Sequence, residues 1–381
     1  MILVSLKPSV LSIPFKVAFK HASAERRVTQ ALWIEARASN GLIGFGEGCP
    51  REYVTAESLS SAMMFVEQHR KNWLADLHDV RALGEWVNNH RSDIDANPAA
   101  WTAVELALLD LMGKDRQCSV ERLLHLPELA GRIHYTAVLG DGSPEQFASQ
   151  LDRYLKTGFT TFKIKLSGNR EVDRAKAKLL TEAGVGGHAV RADANNLWKD
   201  ADACIADLKS LGYDFIALEE PLQPEDYIGL NHVAQRLNTK IILDESVLRE
   251  GQLENLSASP DRWIVNCRVS KMGGLLRCLQ VLRSAHARGV GVIVGAHVGE
   301  TSVLTRAGLT AASAGRNFVI AHEGAFGTHL LCNDVADPAL MFGAEGAIDI
   351  AATGLADRPG LGLNVNLDSK LKYSYPAHPE A

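Results

Sequence analysis

The sequence predicts an α/β fold: a modified TIM barrel of the form (β/α)7β, carrying a smaller α+β capping domain. Three observations predict it. A strand–loop–helix rhythm runs from Ile133 to His322, a block of strands and then a block of helices precedes it, and five chemically active side chains recur along the rhythm at near-constant steps. With 381 residues and 46% hydrophobic content the chain can bury a large core, and it is longer than one ordinary domain.

Residues 1–48 carry three β segments. Met1–Leu6 is mostly apolar and β-branched, Thr29–Ala38 alternates in the manner of a strand, and Leu42–Glu47 follows the turn signal Asn40-Gly41. Pro14–Arg27, with Lys16, Lys20, His21, Arg26 and Arg27, reads as a loop. Such a loop is either a solvated basic stretch or a flap that offers positive charge to an anionic substrate. After Gly46-Glu47-Gly48-Cys49-Pro50 the pattern turns helical, with apolar residues at helical spacing in Ser58–His69, Val80–Asn88 and Pro98–Gly113. The last of these has Asn97 to cap it, Pro98 in its first turn and Gly113 at its exit. Residues 1–130 are therefore assigned to a separate α+β domain; that it caps the barrel, with substrate-specificity loops at about 14–27 and 48–56, is what the family resemblance given below implies.

The barrel, residues 131–355, is expected to hold strands at Ile133–Leu139, Thr160–Lys165, Ala189–Asp193, Phe215–Glu219, Lys240–Asp244, Trp263–Asn266, Gly291–Gly295 and Phe318–His322. Helices fill the gaps, among them Pro144–Thr157 after Ser143 and Leu275–Arg288 after Gly273-Gly274. A doubly wound open sheet is the competing architecture. It would carry a Gly-rich phosphate loop after its first strand, and Leu139-Gly140-Asp141-Gly142-Ser143 is a poor version of one. The tail, 356–381, is expected to pack back on the capping domain.

Charge is nearly balanced, 40 Lys+Arg against 45 Asp+Glu, without a long basic run, which argues against nucleic acid and membrane surfaces as partners. The six cysteines form no Cys-x-x-Cys pair and read as reduced residues of a cytoplasmic protein. Lys7 and Pro8 interrupt the N-terminal apolar stretch, and no stretch approaches the roughly 18 apolar residues of a membrane span.

The chemistry concentrates between Lys163 and Lys271. Asp193, Glu219 and Asp244 each end a short apolar run, and the steps from 165 to 193, 219, 244 and 271 are 28, 26, 25 and 27 residues. In a β/α barrel, catalytic groups gather at the C-terminal strand ends, so the three carboxylates converge. Crowded carboxylates repel unless a cation intervenes, and three oxygen donors with positions left over suit Mg²⁺. Lys163 and Lys165, two apart on one strand, share a face. Crowding of ammonium groups lowers their pKa and frees an amine to act as a base. Lys271, after strand six, lies across the barrel from Lys165.

Lys163-x-Lys165, Asp193, Glu219, Asp244 and Lys271-Met-Gly-Gly closely resemble the enolase superfamily, in its muconate-lactonizing-enzyme subgroup. The resemblance covers nearly the whole chain. It implies abstraction of a proton α to a carboxylate, with Mg²⁺ held by Asp193, Glu219 and Asp244, Lys165 and Lys271 as the acid/base pair, and Lys163 as an electrostatic helper. Asn195 and Glu245 are then outer groups that orient the metal ligands. The use of Lys bases and Mg²⁺ with an enediolate is a general property of that superfamily. A racemase or epimerase of an amino acid derivative or dipeptide-like carboxylate is the expected activity. The alternatives are a lyase, of dehydratase or o-succinylbenzoate-synthase type, and a cycloisomerase. A homo-oligomer binding a small-molecule carboxylate is the expected form.

The Phe15–His21 and Gly46–Pro50 stretches are similar to dipeptide epimerases, which carry an Asp-x-Asp at the end of strand eight to hold the substrate's α-ammonium. Here Ala321-His322-Glu323 stands in that place. The departure counts against an Ala-Glu-type dipeptide, while Glu323 is still expected to pair with one cation. His297 and Glu300 in Gly295–Thr301, together with His322, are expected to touch substrate, the bland reading being structural hydrogen bonding. Arg26 and Arg51 are candidates for a distal carboxylate.

Overall fold

The computed structural model describes residues 1–21, 24–140 and 142–367, apart from the side chains of residues 18–26. The capping domain begins with a three-stranded antiparallel sheet, β1 (Leu3–His21), β2 (Ala24–Ala38) and β3 (Ile43–Gly48). The expected Pro14–Arg27 loop is instead largely strand. β1 shifts register between Pro14 and Phe19, then pairs Phe19 with Arg26 and His21 with Ala24. Alternation continues through the supposed loop, since Ile13 and Phe15 are buried and Pro14 and Lys16 exposed. Proline is tolerated because β1 is an edge strand. The Pro14 carbonyl still accepts from Cys332 N at 2.8 Å, and Lys16 N donates to Leu330 O at 2.8 Å, so the hairpin docks on the barrel-domain segment.

Helices follow at Leu59–Asp76, Val80–Asn89 and Pro98–Asp115. The last is buried on every side from Pro98 to Gly113, as an all-round apolar helix must be. Sheet and helix meet without side chains between them. A Cβ at Gly44, Gly46 or Gly48 would overlap the carbonyl oxygen of Ala107, Ala103 or Ala99 respectively. The period of two in β3 thus meets the i, i+4 spacing of alanines on the helix.

The barrel strands are β5 (Ala137–Leu139), β6 (Phe162–Lys165), β7 (Val190–Asp193), β8 (Ala217–Glu219), β9 (Lys240–Leu243), β10 (Trp263–Arg268), β11 (Gly291–Gly295) and β12 (Val319–His322). They are parallel and adjacent in sequence order, and Thr136 N donates to His322 O at 2.8 Å between the first and last strands. The expected first strand, Ile133–Leu139, is split: β4 (Arg132–His134) leaves the barrel and pairs antiparallel with β13 (Ala347–Asp349). Ala217, Ile242, Ile264 and Ile293, with Ala321 against them, form a small apolar cluster of their own, separate from the main core. They are inward residues of five consecutive strands and help fill the barrel interior, so positions two further along each strand also face inward.

Of the tail, residues up to 367 are described. Gly360 bridges to Ser119, Leu361 N donates to Asp110 Oδ1 at 2.8 Å, and Arg306 Nε donates to Leu361 O at 2.8 Å. Among the described residues no helix is long and apolar enough to cross a membrane.

Candidate active site

Counting two residues up from the apolar layer reaches the chemistry. Glu219 follows Ala217, Asp244 follows Ile242, Asn266 and Arg268 follow Ile264, and Glu323 follows Ala321. Lys163 and Lys165 share that side on β6 and are 5% and 7% exposed, depths at which lysine needs partners. Lys163 Nζ donates to Glu219 Oε2 at 2.9 Å and Glu323 Oε2 at 2.6 Å, and lies 3.9 Å from Asp193 Oδ2. Lys165 Nζ donates to Asn195 Oδ1 at 2.9 Å and lies 3.3 Å from Asp193 Oδ2. Asn195 reaches it from a left-handed backbone, φ 47°, which asparagine tolerates better than most residues. Lys271 Nζ, arriving from beyond β10, donates to Asp244 Oδ1 at 2.9 Å and Asp244 O at 2.6 Å.

The structure therefore brings together all the residues expected to carry the chemistry: Lys163, Lys165, Asp193, Glu219, Asp244 and Lys271. It adds cations that sequence reasoning missed. Arg268 bonds Asp244 Oδ2 and lies 3.6 Å from Glu219 Oε1, and Arg191 lies 3.5 Å from Glu323 Oε1. Asn266 Nδ2 donates to Glu219 Oε1 at 3.2 Å. Their signal was available, since Asn266 and Arg268 alternate on one strand, as do Arg191 and Asp193. Glu220 was also missed; it accepts from Asp244 N at 2.7 Å, Ser246 N at 2.8 Å and Ser246 Oγ at 2.9 Å, and so holds the turn that carries Asp244.

Protonation differs from expectation at one position. Burial disfavours the Lys163 ammonium, but Glu219, Glu323 and Asp193 outweigh it and hold its pKa above the ordinary lysine value. Lys163 thus stays charged, contrary to a lysine depressed by crowding. Burial raises Glu219 to about 7 against the pull of Lys163, with Asp193, Glu323 and Asp244 adding to the rise. Asp244 goes the other way, because Arg268 and Lys271 outweigh its burial. Glu245, beside it, is pushed well up by burial and then by Asp244 and Glu220.

The donor chemistry of Asp193, Glu219 and Asp244 fits a hard divalent ion: three carboxylates on successive strand ends, two of them, Asp193 and Glu219, directly paired across β7 and β8. They are not closed around a point. Among the described residues no three His, Cys, Asp or Glu side chains are close enough to hold an ion, and Arg268 and Lys163 supply the counter-charge.

The positions expected to touch substrate fare differently. Arg26 has its side chain outside the described residues. Arg51 is 1% exposed and donates to Gln30 O at 2.9 Å, Pro50 O at 2.7 Å and Val298 O at 3.0 Å. Its guanidinium ties a capping strand to the turn after β11, which corrects its assignment to a distal carboxylate. His322 is also corrected. Ala321 faces inward, so His322 faces out, its Nδ1 3.2 Å from His134 O and its ring 6.2 Å from Tyr135. Burial pushes its pKa down to about 4. Glu300 and His322 line a cavity of about 10 Å³ together with Tyr135, Leu304, Gly308, Ala312 and Glu323. Burial raises Glu300 to about 8. His297 is buried; its backbone N donates to Glu300 Oε1 at 2.7 Å, and its Nδ1 lies 3.5 Å from the same oxygen. Glu323 faces inward as expected, but its partners are Lys163 and Arg191 rather than a free site for a substrate cation. Burial would raise its pKa, and the two cations hold it below the ordinary range.

Residues 146–369 match the family described as "Enolase C-terminal domain-like". A hydrophobic dipeptide epimerase of Enterococcus faecalis is 28% identical over 302 residues, covering 79% of this chain and 83% of its own. An L-Lys-D/L-Arg epimerase of Methylococcus capsulatus is 28% identical over 361 residues, 93% of this chain and 95% of its own. The crystal structure of a Methylococcus capsulatus dipeptide epimerase, complexed with Mg and the dipeptide L-Arg-D-Lys, superimposes with a TM-score of 0.79 at 25% identity, over 96% of this chain and 100% of that one. A barrel with a capping domain and lysines facing carboxylates at its strand ends defines a member of the enolase superfamily, and the chain belongs to the enolase C-terminal domain-like family. Its relatives place it with the isomerases of that superfamily, the racemases and epimerases.

Proposed function

We propose that the protein is a Mg²⁺-dependent racemase or epimerase that moves the proton on the carbon α to a carboxylate in a dipeptide or an N-acylated amino acid. The observation that carries this reading is the placement of Lys165 and Lys271. They rise from β6 and from the turn after β10, four strands apart in the eight-stranded barrel, and each is oriented by its own partners. A substrate carbon between them presents one face to each amine. Lys165 in its neutral form takes the proton from one face, and the Lys271 ammonium returns one to the other; the reverse direction exchanges their roles. The Lys163 ammonium, kept charged by its carboxylates, adds positive potential beside Lys165 and beside the enediolate that forms. Asp193, Glu219 and Asp244 are the residues that would hold Mg²⁺, which supplies charge stabilisation at the substrate carboxylate. Asn195 fixes the Lys165 amine, and Glu220 fixes the backbone of Asp244.

The dipeptide specificities of the relatives support screening dipeptides of hydrophobic and cationic side chains alongside N-acyl amino acids. Incubation in D₂O with Mg²⁺ is the test. The reading expects deuterium at the α-carbon of recovered material in both configurations, without net loss of substrate. Formation of an unsaturated product with loss of water would assign a lyase instead.

A further inference from the structure

We infer that Glu105, in the capping domain, is a positioning residue for Lys271, holding from outside the barrel the turn that presents this one lysine. Glu105 lies mid-way along the Pro98–Asp115 helix with 0% exposure. Its Oε1 accepts from Leu276 N at 3.0 Å and its Oε2 from Trp101 Nε1 at 3.1 Å. Leu276 belongs to the first turn of the barrel helix Leu275–Ala287, whose leading amides need acceptors. The residue in the capping position is Gly274, which has no side chain to accept them. A carboxylate from the other domain does so, at the positive end of the helix. Gly274, at φ +100°, is required on both counts, because a Cβ there would fall 2.5 Å from Glu105 Oε1. On the other side of Lys271, Cys49 N of the capping domain donates to Ser270 Oγ at 2.8 Å. The turn is thus gripped just before and just after the lysine.

Lys165 is held differently. Its carbonyl accepts from Lys176 Nζ at 3.0 Å, and the loop beyond it is tied to Asp173 by Ser167 N at 2.9 Å and Gly168 N at 3.1 Å. Both partners lie on the barrel's own Arg170–Glu182 helix. Among the described contacts, the turn of one amine is held by the capping domain and the strand end of the other by the barrel's own helix. The inference rests on the two-lysine reading only in assigning Lys271 to one face of the substrate.

The experiment compares Glu105→Ala, Glu105→Gln and Asp173→Ala with the full-length wild type. Trace acetic anhydride labelling, read by mass spectrometry, gives the relative reactivity of Lys165 and Lys271 without needing a substrate. Glu105→Ala should change Lys271 labelling by roughly three- to tenfold, the size of one lost helix cap, and leave Lys165 unchanged. Glu105→Gln, which keeps an acceptor oxygen, should shift Lys271 less and in the same direction, and Asp173→Ala should move Lys165 alone. On the dipeptide or N-acyl amino acid that wild type turns over, Glu105→Ala should slow α-deuteration of one epimer more than the other. Equal change at both lysines, or none at either, in the Glu105 variants overturns the inference. Wild type that deuterates neither epimer of any compound tested would sink the proposed activity and leave the labelling result standing.

Discussion

Replacing Glu323 with Ala separates two roles for the residue at the end of strand eight. In the structure its carboxylate lies 2.6 Å from Lys163 Nζ and 3.5 Å from Arg191, and the three side chains are 6%, 6% and 7% exposed. Removal leaves two buried cations short of an anion. Lys163 retains Glu219, but among the described residues Arg191 keeps only the Thr136 hydroxyl as a hydrogen-bond acceptor. Breaking a buried ion pair from one side costs about 3–5 kcal/mol. Urea unfolding of the metal-free protein should show a loss of that size, with Glu323→Gln losing less because it retains an acceptor oxygen. Catalysis should fall through kcat, since Lys163 would be free to leave its position beside Lys165. A variant as stable as wild type, impaired only in KM, would refute the interior-anchor account and restore a substrate contact.

Three further outcomes are expected. Burial raises Glu47, Glu57 and Glu105 from 4.5 to about 7, so the native state binds protons more readily than the unfolded chain. Stability is then highest at low pH within this window and falls as pH climbs from about 4.5 through 7, on the order of 3 kcal/mol per group; thermal unfolding that strengthens over this range would contradict the assignment. Gly46→Ala drives a methyl into the Ala103 carbonyl, and should lower stability by at least about 1–3 kcal/mol; an unchanged unfolding midpoint would contradict the sheet–helix contact. Chelation with EDTA should abolish activity and Mg²⁺ should restore it, with Asp193→Asn and Glu219→Gln raising the Mg²⁺ needed; activity indifferent to chelation would exclude the metal's role.

The middle of the barrel was legible because β7, β8 and β9 are short, mostly apolar runs that each reach a carboxylate at or just past the strand end, as in Ile241-Ile242-Leu243-Asp244. The β1–β2 hairpin was not. Pro14 and the following charges mimic a loop, and pairing with β2 and with the 330–332 segment explains why strand persists. Orientation was legible in principle: the rule that puts Lys163 and Lys165 on one side also puts Ala321 and Glu323 inside and His322 out. Partners from distant elements were not legible. Arg51 looked available until the carbonyls of Gln30 and Val298 took it up. The Lys163 charge state followed from Glu219 and then Glu323, 56 and 160 residues away.

The central claim is that Lys165 and Lys271 serve opposite faces of one α-carbon. Its most direct test is deuterium exchange in D₂O on Lys165→Ala and Lys271→Ala, each with Mg²⁺ and with separately prepared L- and D-configured substrate. Each variant should lose epimerisation yet deuterate one configuration, and the two variants should be selective for opposite configurations. Loss of exchange for the same configuration in both, or full epimerisation by either, would contradict the account.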